Sequence, residues 1–301
     1  MRKEFAEKIK RLFQANPDLV FLTGDLGYNA LEEIQANFPD RFINAGVAEQ
    51  NMVGVAAGLS YTGHPAFVYS IAPFAVYRTL EQIRLDVCLH NQPVYVVGNG
   101  GGYGYGIMGA THHAIEDLAC LSSLPNMVCW VPAFAEDVDY CLDQIIERRG
   151  PAYLRLGLGD KYPRPVNISM INHVIQAQSN PLLTIITQGP IIKNALQAIE
   201  GYENIDIFSV LTLPIIEMDN ALKQSVAASK NVLVIEEHVE RGGLAEHILM
   251  KFHQAYLPLN RFESLHAKGY PSKTYGSQGF HWKESGLDKE NILNLIHTFN
   301  L

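Results

Sequence analysis

The sequence has no apolar stretch approaching the ~20 residues that a membrane-spanning helix needs, so no such span is expected. It has no run of lysine and arginine either. Acidic residues outnumber basic ones by 31 to 23, for a formal net charge of −8. Nucleic acid and anionic membrane surfaces are therefore not expected as partners. Cysteine is scarce: Cys88, Cys120, Cys129 and Cys141 are the four present, none in CxxC spacing. That favours buried free thiols over a zinc site or a disulfide framework, and no metal ligands are assigned to the chain. The first residues, MRKEFAEKIKRLF, are charged and amphipathic where a signal peptide would be apolar, which points to the cytoplasm. The glycine-rich stretch GNGGGYGYGIMG is not followed by GKS or GKT, so a Walker-type phosphate loop is excluded. Nor does its spacing fit a GxGxxG opening a helix. On its own it reads equally as a mobile connection or a substrate loop.

What is present is a large apolar content, 48% of 301 residues, enough for an extensive core and for two domains. Short β-branched or aromatic runs (DLVFLT, HPAFVYSI, QPVYVVG, NMVCWVP, AYLRLG) alternate with amphipathic segments such as Phe74 to His90 and Ala133 to Arg149. This predicts an α/β fold of two domains, each a mainly parallel sheet flanked by helices. The pattern breaks in GLGDKYPRPVNISM and resumes with PLLTIIT, DIFSVLTL and NVLVIEE, which places the boundary near Pro165, with domains at 1–165 and 166–301.

Parallel sheets bind ligands at the carboxyl ends of their strands. There the sequence places TGDLGYN, YSIAPFAVY, the glycine-rich loop with GATHH, and Arg155. A further segment, RFINAGVAEQNMVGVAAGLSYTG, reads as the start of a buried helix, small and apolar from Gly46 to Leu59, with Glu49 in its first turn. An acid there complements the helix dipole, an effect of up to about 1 kcal/mol.

The ordered set GVAEQNM, YSIAPF, GATHHAIEDLA and PAYLRLG resembles the transketolase family, specifically its pyrimidine-binding and C-terminal domains as found in a separately encoded subunit, with 1-deoxyxylulose-5-phosphate synthase as a relative. The resemblance implies thiamine diphosphate as cofactor and a catalytic role for Glu49. In the family this glutamate hydrogen-bonds the aminopyrimidine ring, favouring the imino tautomer that takes the thiazolium proton. Such an acid must be largely desolvated. By the same resemblance Phe74 stacks on the pyrimidine, Tyr77 completes that wall, and Asp25 lies beside the thiazolium. His112 is the substrate-facing histidine and hence catalytic, while Arg155 and Arg2 hold a substrate phosphate. Plain packing remains an alternative for Phe74 and Tyr77, and loop capping for Asp25. His113 reads as structural.

Two positions depart from the family pattern. Where sugar-phosphate transketolases carry a histidine and an aspartate, this sequence has Gly100 and Met108. Losing two polar groups that recognise hydroxyls makes ordinary pentose phosphates doubtful donors. The GDG motif and downstream asparagine that hold the diphosphate through magnesium are also missing. Gly24-Asp25-Leu26 followed by Asn51 is a poor copy, because Asn51 falls in the helix bearing Glu49. Diphosphate and Mg2+ are thus expected on an N-terminal-type partner subunit, in a heterotetramer, with turnover by the pair alone. The second domain resembles the family's C-terminal domain, with Glu236, Glu237 and His238 read as structural and Asp288 as a helix cap. Three readings stay open: a transferase of a two-carbon ketol or acetyl unit to an aldehyde or ketone, a β-type subunit of a decarboxylating 2-oxoacid enzyme, and a noncatalytic scaffold. The sequence does not name donor, acceptor or pathway.

Overall fold

The computed structural model describes residues 1–27, 31–162, 167–168, 172–177 and 180–299. The boundary expected near Pro165 lies outside the described residues. The first domain supplies strands β1 (Val20–Thr23), β2 (Phe42–Asn44), β3 (Ala66–Ile71), β4 (Val94–Asn99), β5 (Val128–Trp130) and β6 (Ala152–Leu156). They are followed by β7 (Asn167–Ile168), β8 (Asn172–Gln176), β9 (Leu183–Gln188), β10 (Ile205–Val210), β11 (Thr212–Leu213), β12 (Asn231–Glu236) and β13 (Arg261–Leu265).

The first sheet runs in the order β11-β5-β6-β4-β3-β1-β2, parallel except where β11 pairs antiparallel with β5. Its central strands are buried along almost their whole length, as expected where helices cover both faces and the strand sequence is continuously apolar. On one face the amphipathic helix Arg2–Ala15 sets Phe5, Ile9, Leu12 and Phe13 against Phe21, Phe67 and Tyr69. On the other, helix Glu49–Tyr61 packs Met52, Val53, Ala56 and Ala57 against Val68 and Val96. Its small residues let the helix lie close to the sheet. The second sheet has the order β13-β12-β9-β10-β8-β7, with β13, β12, β9 and β10 parallel and β8 and β7 antiparallel.

Three local features differ from the sequence reading. The segment starting at Arg41 first forms edge strand β2, and the helix begins at Glu49 itself. Gly46, at φ +70°, makes the turn between them. Residues 74–90 form two short helices, Ala72–Val76 and Leu80–Gln82, and a wide turn of π-helix, Ile83–Leu89, in place of one amphipathic helix. The run DIFSVLTL is divided between the two sheets, because β10 ends at Val210 and β11 crosses to β5. Asp288 caps the final helix, Lys289–His297, accepting the N–H groups of Glu290 and Asn291.

Candidate active site

Strand order brings the carboxyl ends of β2, β1, β3 and β4 side by side; Glu49, Asp25, Phe74, Tyr77 and His112 follow those ends, while Arg2 begins the first helix and Arg155 lies within β6. Glu49 is the first residue of its helix, preceded by Ala48, which offers no side-chain cap. The residue is only 4% exposed. Gly24, just past β1, lies beside it: a Cβ there would make ordinary contact with the Glu49 side chain, 3.9 Å from Oε1. Its carboxylate accepts from Arg78 Nη1 at 3.2 and 3.3 Å, and the Arg78 guanidinium lies 4.0 Å over the centre of the Phe74 ring. Acid, cation and aromatic ring therefore form one stack, with Glu49 and Arg78 bordering a cavity of about 490 Å³. Arg78 was not singled out in the sequence. Its position four residues after Phe74, one helical turn, was the signal available.

His112 follows the 3₁₀ turn Gly106–Thr111 that closes the glycine-rich loop. Its ring stands edge-on to Phe74, with centroids 5.2 Å apart, and its Nδ1 meets the Thr111 hydroxyl at 2.9 Å. Nε2 has no hydrogen-bond partner among the described residues and is thus the nitrogen available to a substrate. Asp25 is held at φ +57°. Its N–H donates to Asn44 Oδ1 and its carboxylate accepts from Asn44 Nδ2, at 3.1 and 3.0 Å. Tyr77 is 36% exposed, and its hydroxyl donates to Glu116 Oε2 at 2.8 Å, tying the helix end to the loop beyond His112. Burial and the acids Asp117 and Glu116 raise its hydroxyl pKa. Arg2 begins the first helix and hydrogen-bonds the Tyr69 hydroxyl, which burial still pushes up to about 12. The structure thus gathers Glu49, Phe74 and His112 into one cluster, while Asp25, Tyr77 and Arg2 each make contacts of their own around it. Among the described residues no group of three His, Cys, Asp or Glu side chains is arranged to hold a metal ion.

Residues 1–159 match the family description "Transketolase, pyrimidine binding domain", and residues 172–291 match "Transketolase, C-terminal domain". The chain belongs to the transketolase family. Among curated relatives it is 27% identical to one of the subunits of the apulose-4-phosphate transketolase of Phocaeicola vulgatus, over 99% of this chain and 96% of that one. It is 31% identical to 1-deoxy-D-xylulose-5-phosphate synthase 2 of Geobacter sulfurreducens, covering 98% of this chain but 48% of the synthase, about half its length. A solved structure described as a split gene transketolase, inactive beta4 tetramer, superposes with a TM-score of 0.81 at 28% identity, covering 99% of this chain and 96% of that one. The function is that of a transketolase-type transferase subunit, in a family that works with thiamine diphosphate and a divalent metal.

Within this transketolase chain Arg155 corrects the expectation made for it. It is not open to a phosphate. Only 5% exposed, it donates from Nε to Asp117 Oδ2 at 3.0 Å and from Nη2 to the carbonyls of Ala114 and Glu237 at 2.6 and 3.1 Å. Tyr153 also donates to Asp117 Oδ2, at 2.7 Å. Removing one partner from a buried ion pair costs about 3–5 kcal/mol, a large share of a typical stability, so this arginine serves structure first, and its bond to the Glu237 carbonyl also reaches the second domain. The acidic-histidine run beside it is likewise committed to structure. Glu236 accepts the N–H groups of Leu244 and Ala245 at the start of helix Leu244–Gln254, and burial raises its carboxyl to about 7. Glu237 accepts Tyr103 N–H at 2.8 Å and both its oxygens receive Gln278 Nε2. His238 Nε2 accepts Ala119 N–H at 3.2 Å. His113 is buried between the Gly106 carbonyl and the Tyr270 hydroxyl, and burial lowers it to about 4.

Proposed function

We propose that the chain is the pyrimidine-holding half of a two-polypeptide ketol transferase whose active site closes between this subunit and an N-terminal-type partner. The observation that carries this reading is the stack of Glu49, Arg78 and Phe74. A planar group bearing N–H donors lies on the face of Phe74 and hydrogen-bonds the buried acid at the same time. An aminopyrimidine is another planar group with such donors, so the residues present fit the cofactor. Thiamine diphosphate, when bound, supplies the nucleophilic carbon and the electron sink. Glu49 would hydrogen-bond the ring nitrogen of that cofactor, shielded from water by its burial. Phe74 provides the stacking face, with Tyr77 and Asp25 bordering the seat. His112 Nε2 donates to, or takes a proton from, an oxygen of the carbonyl substrate. Arg2 is retained as a ligand for the substrate phosphate; Arg155 acts at most through the loop it anchors.

Diphosphate and Mg2+ fall to the partner in this reading, and the assembly is a cytoplasmic heterotetramer. The likeness to subunits of enzymes named apulose-4-phosphate transketolase supports a ketose phosphate donor, with apulose 4-phosphate the first to test. The interval between the two matched family spans supports a domain boundary at residues 165–166.

The test is reconstitution with the partner subunit. The isolated chain should turn nothing over, the assembled pair should transfer a ketol unit, and Glu49→Gln in the pair should lower the rate by about 10²–10⁴-fold without disturbing assembly. An unchanged rate would instead make the chain a scaffold.

A further inference from the structure

Gly100 lies just past the end of β4 in the left-handed region, at φ +73°. A side chain on it would begin where Cδ2 and Cε2 of the Tyr105 ring already lie. The loop has therefore folded a tyrosine from five residues downstream into the space that residue 100 leaves empty. Asn99, the last residue of β4, fixes the ring by donating from Nδ2 to the Tyr105 hydroxyl at 2.8 Å. Because Oη accepts that bond, the phenolic hydrogen is left to donate elsewhere. Tyr105 is half-buried, and its ring centre lies 5.7 Å from that of His112, on which Phe74 also abuts. Met108, three residues on, is 52% exposed and carries no hydrogen-bonding group of comparable strength. One fixed phenol thus stands next to the substrate-facing histidine.

We infer that Tyr105 is a specificity-determining residue of the ketol-transfer site, donating a hydrogen bond to an oxygen of the ketose phosphate beyond its carbonyl while its ring limits the space there. The inference rests on the proposed function. A phenol in this place presents a hydrogen-bond donor, where the glycine at residue 100 has no side chain to offer one. Its flat ring is also bulkier than the glycine it covers. Discrimination between donors that differ in the shape of the carbon next to the carbonyl follows from both properties.

The experiment compares wild type, Tyr105→Phe and Tyr105→Ala in the assembled pair, with apulose 4-phosphate and xylulose 5-phosphate as donors. Tyr105→Phe keeps the ring and is expected to raise KM for the preferred donor by about 3–10-fold with kcat nearly held, as for one lost hydrogen bond. Tyr105→Ala removes the wall and should shift the ratio of kcat/KM for the two donors by at least about tenfold. Calorimetric binding of each donor to the pair in the Glu49→Gln background gives the same comparison without turnover. A donor ratio that stays within twofold in both variants, with wild type active, overturns the role of Tyr105 and leaves the ketol-transfer reading standing. A wild-type pair that neither turns over nor binds either donor overturns both.

Discussion

Arg78 ties the candidate site together in the cofactor-free chain. It neutralises a carboxylate that is otherwise buried at the start of a helix without a side-chain cap, and it rests its flat face on Phe74. In the proposed function the guanidinium and an incoming aminopyrimidine compete for the same acid. Arg78→Met is therefore expected to lower the dissociation constant of thiamine diphosphate for the assembled pair several-fold, most clearly at low salt, where the ion pair is strongest. Fluorescence titration at two salt concentrations measures it. The place of Glu49 in the first turn of its helix was legible from sequence, but a lone acid there also reads as a complement to the helix dipole, and only the ordered set of family motifs singled it out. Its arginine partner was not legible. The pairing depends on how Leu80–Gln82 and its flanking turns lie across the sheet, which the local pattern of residues 74–90 misjudged as a single helix. Arg155 shows the same limit. The strand was identified correctly, although Arg155 lies within it and not just after it, and which way the side chain turns depends on Asp117 and Glu237, neither a neighbour in sequence.

At the scale of elements, the central strands were readable because helices bury them on both faces, leaving continuous apolar runs. The edge strands β2 and β13 escaped notice. Each is only partly buried, so neither RFIN nor RFESL carries such a run. The glycine-rich loop is the other element whose nature the tertiary structure settles. Gly102 and Ala114 form an antiparallel bridge that closes the loop on itself. Between them, Gly106 packs against the backbone of residues 276–278, while a Cβ on Gly109 would lie 2.8 Å from the Tyr275 ring. The loop is thus clamped by the second domain and is no free connection. Gly102→Ala tests this. At φ +66° its Cβ would lie 2.5 Å from Cδ of the buried Glu237, and positive φ together with overpacking costs about 2–4 kcal/mol. Calorimetry should show a lower midpoint, and hydrogen exchange should show lost protection across residues 102–114. Gly54→Ala, with open space around its Cβ, serves as the control.

For the whole molecule, the second domain does more than pack. It lends β11 to the first sheet, and it sends Glu237 into the loop that precedes His112 and His238 into the helix that follows it. Ala119 N–H can only donate, so His238 Nε2 accepts and the proton sits on Nδ1, which donates to the Val239 carbonyl at 2.7 Å. The junction requires a neutral ring. Burial lowers this histidine from 6.5 to about 4, with Asp117 opposing the shift. A depressed pKa contributes stability that is complete above the unfolded value and is lost as pH falls through the folded one. His238→Gln does not titrate, so subtracting its stability from that of wild type isolates this contribution from the opposing one of Glu236. The difference is expected to be flat above pH 6.5 and to shrink by about 3 kcal/mol as pH falls to about 4, as denaturant titrations across that range would show.

The sequence by itself determined the alternation of apolar strands and amphipathic helices, the order of motifs at strand ends, and hence the family. These are local patterns, and each segment carries its own. Tertiary structure alone decided that Arg78 faces Glu49, that Tyr105 fills the place of a side chain on Gly100, and that Arg155, Glu237 and His238 join the two domains. Each of those outcomes is a choice of partner between segments distant in the chain or folded back on themselves, and it is fixed by which buried charges and hydrogen-bonding groups must be satisfied once the sheets are packed.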